Sequence, residues 1–315
     1  MSVVDQGRAP QPPDPQDPPE EQEVAVPDEG PRGWRRVVAE LLRRPVAVIS
    51  VVVLAGVVVM ALAGQWIAPY GINEISIDQR LQPPSAQHWF GTDELGRDIL
   101  SRVIASAAVS VRVSVVAVTI ALLAGVTLGL LAGFFGGWLD SVIMRGQDVL
   151  FAFPEMLLAM AIVAILGPGV TTATIAIGIV YIPVFARVTR ASALSVRTET
   201  YVRAAKSLGA SPWRQMTSHV LPNISAPIIV QTSLSLAFAI LSEAGLSFLG
   251  LGVQPPEPSW GRMLFDSRAF FQEAWWMSVF PGLAVFVTVL AANLLGDVLR
   301  DVLDVRSAST SGGSR

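Results

Sequence analysis

The sequence contains no cysteine, one lysine and two histidines in 315 residues, and only 15% of its residues are charged. Without cysteine there are no disulfides, no thiolate metal sites and no cysteine nucleophile, and the redox compartment is left open. The single lysine, Lys206, follows Ala205, whereas the phosphate-cradling P-loop requires Gly-Lys-Ser/Thr. The chain therefore has no Walker A site, and any ATP that drives it is held by another subunit. The scarcity of charge argues against a soluble domain, in which about a quarter of residues are charged.

What is abundant is apolar: 52% of residues are hydrophobic, and the mean hydropathy is +0.53. Asp, Glu, Lys and Arg are absent from 45–73, 113–139, 156–186, 215–242 and 274–296. A helix that crosses a bilayer needs about 20 mostly apolar residues, and each of these runs can supply one. The fold class expected is an all-α polytopic membrane protein. The net charge of −3 hides two opposed parts, because residues 1–30 hold eight acids against Arg8 alone. Residues 1–31 also hold eight of the 22 prolines and almost no large apolar side chains. Such a segment cannot offset its ordering entropy by burial, so 1–31 is read as a disordered, acidic, Pro-rich tail, and not as a signal peptide.

The first span is expected near 46–68, preceded by Arg35, Arg36, Arg43 and Arg44, with Trp66 and Tyr70 placed for an aromatic belt. Residues 69–108 read as a polar loop and about 109–135 as a second span, in which Gly125, Gly129 and Gly133 form a packing face. Within 156–186, Gly167-Pro168-Gly169 separates two spans, since an interior proline costs about 3 kcal/mol before the glycines are counted. Sidedness agrees. With six spans and a cytoplasmic N-terminus, 187–214 lies in the cytoplasm, where its net charge of +5 obeys the positive-inside rule. The third span then begins between Arg145 and Phe151, the fourth covers about 170–189, the fifth about 224–243 and the sixth about 275–296. Both termini are expected to be cytoplasmic. The parts are 1–31 as the tail, 32–108 as the first span and outer loop, 109–304 as a five-helix core with a cytoplasmic loop at 187–225, and 305–315 as a disordered C-terminal tail.

That loop is too long for a tight connection and too basic for lipid. Residues 198–208 suit a helix, Gly209 is a natural stop, and Ser211-Pro212 starts another segment. By its physics alone the segment fits a force-transmitting lever and a solvated loop helix equally. The stretch YVRAAKSLGASPWRQMTSHVLPN resembles the "EAA" loop of permease subunits of binding-protein-dependent ABC importers. The family pattern is Glu-Ala-Ala, three residues, Gly, nine residues, Ile, any residue, Leu-Pro. Ala204, Ala205, Gly209, Leu221 and Pro222 fall in register, while Arg203 and His219 replace the glutamate and isoleucine. HWFGTDELGRDILSRV (88–103), LSEAGLSFLGLGVQPPEPSWGRML (241–264) and NLLGDVLRDVLD (293–304) resemble the C-type subunit of the oligopeptide/dipeptide/nickel group.

The resemblance implies the type I ABC importer permease fold with six transmembrane helices, multi-pass in the bacterial inner membrane. It implies import of di- or oligopeptides by alternating access, or of nickel chelates or another small solute by the same machinery. The partners it implies are a homologous B-type permease subunit, two ABC ATPase subunits and an extracytoplasmic substrate-binding protein, besides membrane lipid. The chain itself is expected to bind no cofactor and to be no enzyme, with ATP and magnesium on the partner ATPase. The coupling residues implied are Tyr201, Arg203, Ala204, Ala205, Lys206, Gly209, Leu221 and Pro222 in the loop at 198–222.

Among ionisable residues near the bilayer, Asp148, Glu155, Arg112 and Asp297 read as solvated span ends. Glu243 stands equally for such an end and for the translocation path. Asp93, Glu94 and Asp98 lack calcium-loop spacing and read as a helix start, with Thr92 or Asp93 as N-cap. His88 and His219 lie on opposite sides of the membrane, so they share no metal. No nucleophile–base pair and no nucleic-acid motif is present. A secondary transporter or channel would need paired midplane charges or inverted halves, and neither is visible; a non-transporting scaffold is the remaining class.

Overall fold

A backbone in hydrocarbon has no water to bond, so each apolar run must satisfy its own N–H and C=O groups as helix. The computed structural model shows this for residues 34–311, with side-chain surroundings described for 38–303. The tail assigned to 1–31 lies outside the described residues. Among the described residues the only β-type pairing is a single bridge between Thr92 and Asp98.

Helix α1 (Trp34–Arg43) leads through Arg44 into α2 (Pro45–Ile67), which opens with proline at a position where no N–H is missed. Helix α3 (Ile99–Phe135) is 37 residues long and starts ten residues before the expected second span. Its first turns are polar, with Ser101 and Arg102, and are buried by protein instead of lipid, which is why composition read them as loop. The N-cap is Asp98, which accepts from Ser101 N at 2.8 Å. A helix start is there, but neither Thr92 nor Asp93 caps it.

The expected third span is two helices. Helix α4 (Gly137–Phe151) and helix α5 (Glu155–Leu166) meet at an angle of 88°, and only together are they long enough to cross. Helix α6 (Val170–Val196) follows the Gly-Pro-Gly break. After α7 (Thr200–Ser207), a short α8 (Pro212–Arg214) runs through a π-helical stretch at Gln215–Val220 and a 3-10 turn at Leu221–Ile224 into α9 (Ser225–Phe248). Pro222 lacks an N–H and its ring crowds the carbonyl four residues back, so the ladder widens ahead of it. Helix α10 (Trp260–Ser267) precedes α11 (Trp276–Ser311), which continues past residue 304. Five helices are long and apolar enough to span, or six with the bent pair.

The core is built on α3 and α6, which run parallel. The contacts advance together: Ala117 and Ile120 meet Gly178, Gly125 meets Ile182 and Phe185, and Gly133 meets Arg190 and Ala193. Parallel neighbours require the chain to recross between them, which α4 and α5 accomplish. At one end of the bundle α10 covers the start of α3; at the other α7 covers its finish. Gly64, late in α2, lies against Ile104 near the start of α3, and Trp276 at the start of α11 bonds Thr92, so Arg44 and Asp301, 2.9 Å apart at the opposite ends of α2 and α11, lie on the α7 side.

Candidate functional site

Helix α7 stands clear of the bundle on a fixed mount. Val202 is its one fully buried side chain, packed with Leu130 of α3, Ala193 of α6 and Met216, Val220 and Ile224 of the following segment. Arg197, just past α6, donates from Nη1 to the carbonyls of Gly133 (2.9 Å) and Phe134 (3.1 Å), tying the two core helices together beneath α7. Gly209 has φ +84°, a conformation that favours glycine, and closes the helix: its N–H reaches Lys206 O and the Ala210 N–H reaches Ala205 O, each at 3.0 Å. Ser211 caps the next turn by accepting from Arg214 N, and Gln215 Nε2 donates to Ala210 O at 2.6 Å. The helix and the stop at Gly209 are where the sequence places them.

The mounted tip is exposed. Arg203, Ala204, Lys206 and Gly209 face solvent, and Ala205 is half-buried. Large apolar side chains share that surface: Leu208 is 87% exposed, Trp213 70% and Tyr201 43%. Leu208 and Trp213 are absent from the sequence-derived set; both flank the Gly-Ala-Ser-Pro turn, and only its geometry turns them outward. Partial burial, then the Glu199 carboxylate, push the Tyr201 phenol up, so it stays a neutral donor near neutral pH. Leu221 packs inward beside the Val202 cluster and Pro222 is exposed at the widened turn. A cavity of about 530 Å³ between α7 and the end of α3 has Arg197, Arg203 and Lys206 in its lining, a basic recess beside small exposed alanines.

The basic charge of 187–214 is partly spent within the chain. Arg190 grips Asp140 of α4 with two bonds, the second at 2.6 Å, and Arg187 meets Asp148 at 2.8 Å while lying 4.0 Å over the Phe151 ring. Asp148 is thus an exposed ion-pair partner of α6, beyond being a span end.

Glu243 lies towards the other end of the bundle and is not brought to the α7 surface. It is 1% exposed, accepting from Ser110 Oγ of α3 at 2.9 Å and from Ser247 Oγ at 2.8 Å, with Ser259, the N-cap of α10, beside it. Its carboxylate faces no surface of this chain and joins α3, α9 and the start of α10.

That end carries a polar layer. His88 Nδ1 is 2.9 Å from Asp98, and Asp93 holds Arg97 at 2.6 Å and lies 3.6 Å from Arg102. Asp93 and Asp98 are occupied by arginine, histidine, serine and backbone donors, while Glu94 accepts from Arg97 at 2.9 Å through Oε1 and its buried Oε2 has no partner among the described residues, an arrangement for bracing a loop. Burial, then the Asp93 charge, push the Glu94 carboxyl above the ordinary range. Trp260, fully buried, donates to Val103 O at 2.9 Å, and Trp276 to Thr92 O at 3.0 Å, so α10 and α11 clamp this layer onto α3.

A family model described as binding-protein-dependent transport system inner membrane component matches residues 125–308, more than half of the chain and all of the α7 mount. The chain belongs to this family. A second model, the N-terminal transmembrane domain of oligopeptide transport permease C, matches residues 33–84. The chain is similar to the dipeptide transport system permease protein of Alkalihalophilus pseudofirmus, with 45% identity over 93% of this chain and 94% of that one. It is 48% identical to a di/tripeptide transport system permease protein of Pseudomonas aeruginosa over 79% and 84% of the two chains. A glutathione transport system permease protein of Pectobacterium atrosepticum is 43% identical over 88% and 92%. As a binding-protein-dependent permease component, the protein is a multi-pass subunit of the bacterial inner membrane and works in transport, not as an enzyme.

Proposed function

We propose that this chain is the C-type permease subunit of an ATP-driven importer of di- and oligopeptides. The observation that carries the reading is α7 with the turn that follows it: a short helix whose exposed Tyr201 joins Leu208 and Trp213 of the turn in one surface, fixed to α3 and α6 by Val202 and Arg197. A helix that served only as a solvated linker would have no reason to present apolar side chains on so rigid a mount. In this reading α7 seats in a groove of an ATPase subunit, one of a pair. ATP with magnesium, bound on those subunits, supplies the driving closure. A homologous B-type permease subunit completes the path, and an extracytoplasmic binding protein delivers the substrate.

The α7 end is cytoplasmic in this reading. Arg197, Arg203, Lys206 and Arg214 against Glu199 agree with the positive-inside rule, and both ends of the described chain share that side. Force on α7 passes through Val202 and the Arg197 bonds into α3 and α6, which move as one body because their backbones touch along the glycine face. The ATPase pair must favour one arrangement over the other, since equal affinity for both shifts nothing. The peptide class is supported by the names of the relatives, which specify dipeptide, di/tripeptide and glutathione transport.

Uptake of labelled dipeptide into proteoliposomes containing the four membrane-associated subunits tests this. Accumulation is expected only with ATP and the binding protein present. Accumulation by this chain without ATP overturns the ABC reading, and preference for a nickel chelate overturns the substrate.

A further inference from the structure

Between α3 and α6, towards the α10 end, the chain opens into a groove of about 610 Å³. Val116, Ile120 and Ile175 give it apolar walls, and Thr171 in the first turn of α6 adds a hydroxyl. Two charges stand in it: Arg112 of α3 and Glu257 of the segment before α10, with Nη2 and Oε2 3.7 Å apart and side chains 60% and 54% exposed. No other Asp, Glu, Lys or Arg occurs between residues 103 and 139. Arg112 stands at the edge of the charge-free run 113–139 and Glu257 in the segment before α10, so the pair lies where a span ends and this mouth of the groove meets water or a polar ligand. The pair is also long and solvated, so its two halves hold each other weakly and can be separated at little cost.

We propose that this groove is a binding station for the peptide in transit, with Arg112 holding the C-terminal carboxylate and Glu257 the N-terminal ammonium. The inference rests on the peptide-importer reading and adds the groups that recognise the substrate. A zwitterion is the ligand whose opposite charges complement both members of the pair at once. Guanidinium and carboxylate form charge-assisted bonds with these termini, while the aliphatic walls accept varied side chains without selecting one. The groove lies at the end opposite α7, so a peptide there meets the permease before the lever acts.

The absence of cysteine makes a direct test possible, because Thr171→Cys puts a single thiol on this subunit. In proteoliposomes holding the complete assembly with its binding protein, a membrane-impermeant charged methanethiosulfonate reagent is expected to label that thiol in the vanadate-held state. Dipeptide should slow the labelling. Arg112→Ala and Glu257→Ala should each remove the protection and raise the uptake KM about tenfold, the scale of one charged hydrogen bond. Ile175→Cys in the same groove serves as the second reporter if Thr171→Cys does not assemble. A thiol unreactive in every state, as under a covering partner subunit or lipid, overturns the proposal; so does labelling at one rate with and without dipeptide. Failure of the unsubstituted assembly to import dipeptide overturns the importer reading instead.

Discussion

A β-carbon added at Gly129 would collide with the Ala186 carbonyl oxygen and stand 2.8 Å from Thr189 Cβ, both on the rigid backbone or stem of α6. Gly56, in α2, has nothing within 4 Å of the same added atom. Gly129→Ala is therefore expected to destabilise the detergent-solubilised protein by about 1–3 kcal/mol through overpacking. Gly56→Ala is expected to leave the thermal midpoint unchanged or slightly raised, since alanine favours helix; equal midpoints for the two variants would contradict the packing argument. The four-residue spacing made Gly125, Gly129 and Gly133 legible in the sequence as a packing face. That their partner is α6, in parallel, was not legible, because close approach is a property of two helices and the sequence shows one. Asp98 shows the same boundary: three acids near a helix start are visible, but which one caps depends on the backbone that precedes it.

Helix α4 is tied to α6 by two ion pairs of unequal enclosure. Asp140 and Arg190 meet through two bonds, with the carboxylate 16% exposed, whereas Asp148 and Arg187 are 59% and 44% exposed. The first pair is enclosed enough to matter and the second is largely screened. A double-mutant cycle on Asp140→Ala and Arg190→Ala is expected to give a coupling of about 1 kcal/mol in unfolding, and the Asp148–Arg187 cycle less; additive effects at Asp140 and Arg190 would remove the anchor. The 88° break before α5 explains why the sequence was least clear here. The turn at Ala152–Pro154 falls ahead of the charge-free run, so hydropathy pointed to a continuous span that the chain does not form. The early start of α3 has the opposite cause: its polar first turns are covered by Trp260 and Met263, and burial by protein leaves no hydrophobic signature. Helix α7 and its stop were legible because a Schellman ending depends on a glycine at one position.

At the scale of the molecule, the parallel α3–α6 pair, the recrossing through α4 and α5, and the Arg44–Asp301 contact form one six-pass bundle with α7 at one end and the clamped α10 layer at the other. Charge sidedness reached the same count from the sequence, although Arg187 and Arg190 belong to α6 and are paired with α4. The resemblance carried the permease identity, and the fold shows what lies beneath α7: Val202 and Arg197 join it to both core helices. The central claim is that force enters through α7. It is tested most directly by uptake and ATP hydrolysis in the complete assembly carrying the deletion Ala204–Gly209 or Leu208→Asp, the latter on a side chain already 87% exposed. The account expects both variants to reach the membrane at wild-type abundance and to lose peptide uptake, with any remaining ATP hydrolysis no longer stimulated by the loaded binding protein. Normal uptake by either variant at equal abundance would contradict it.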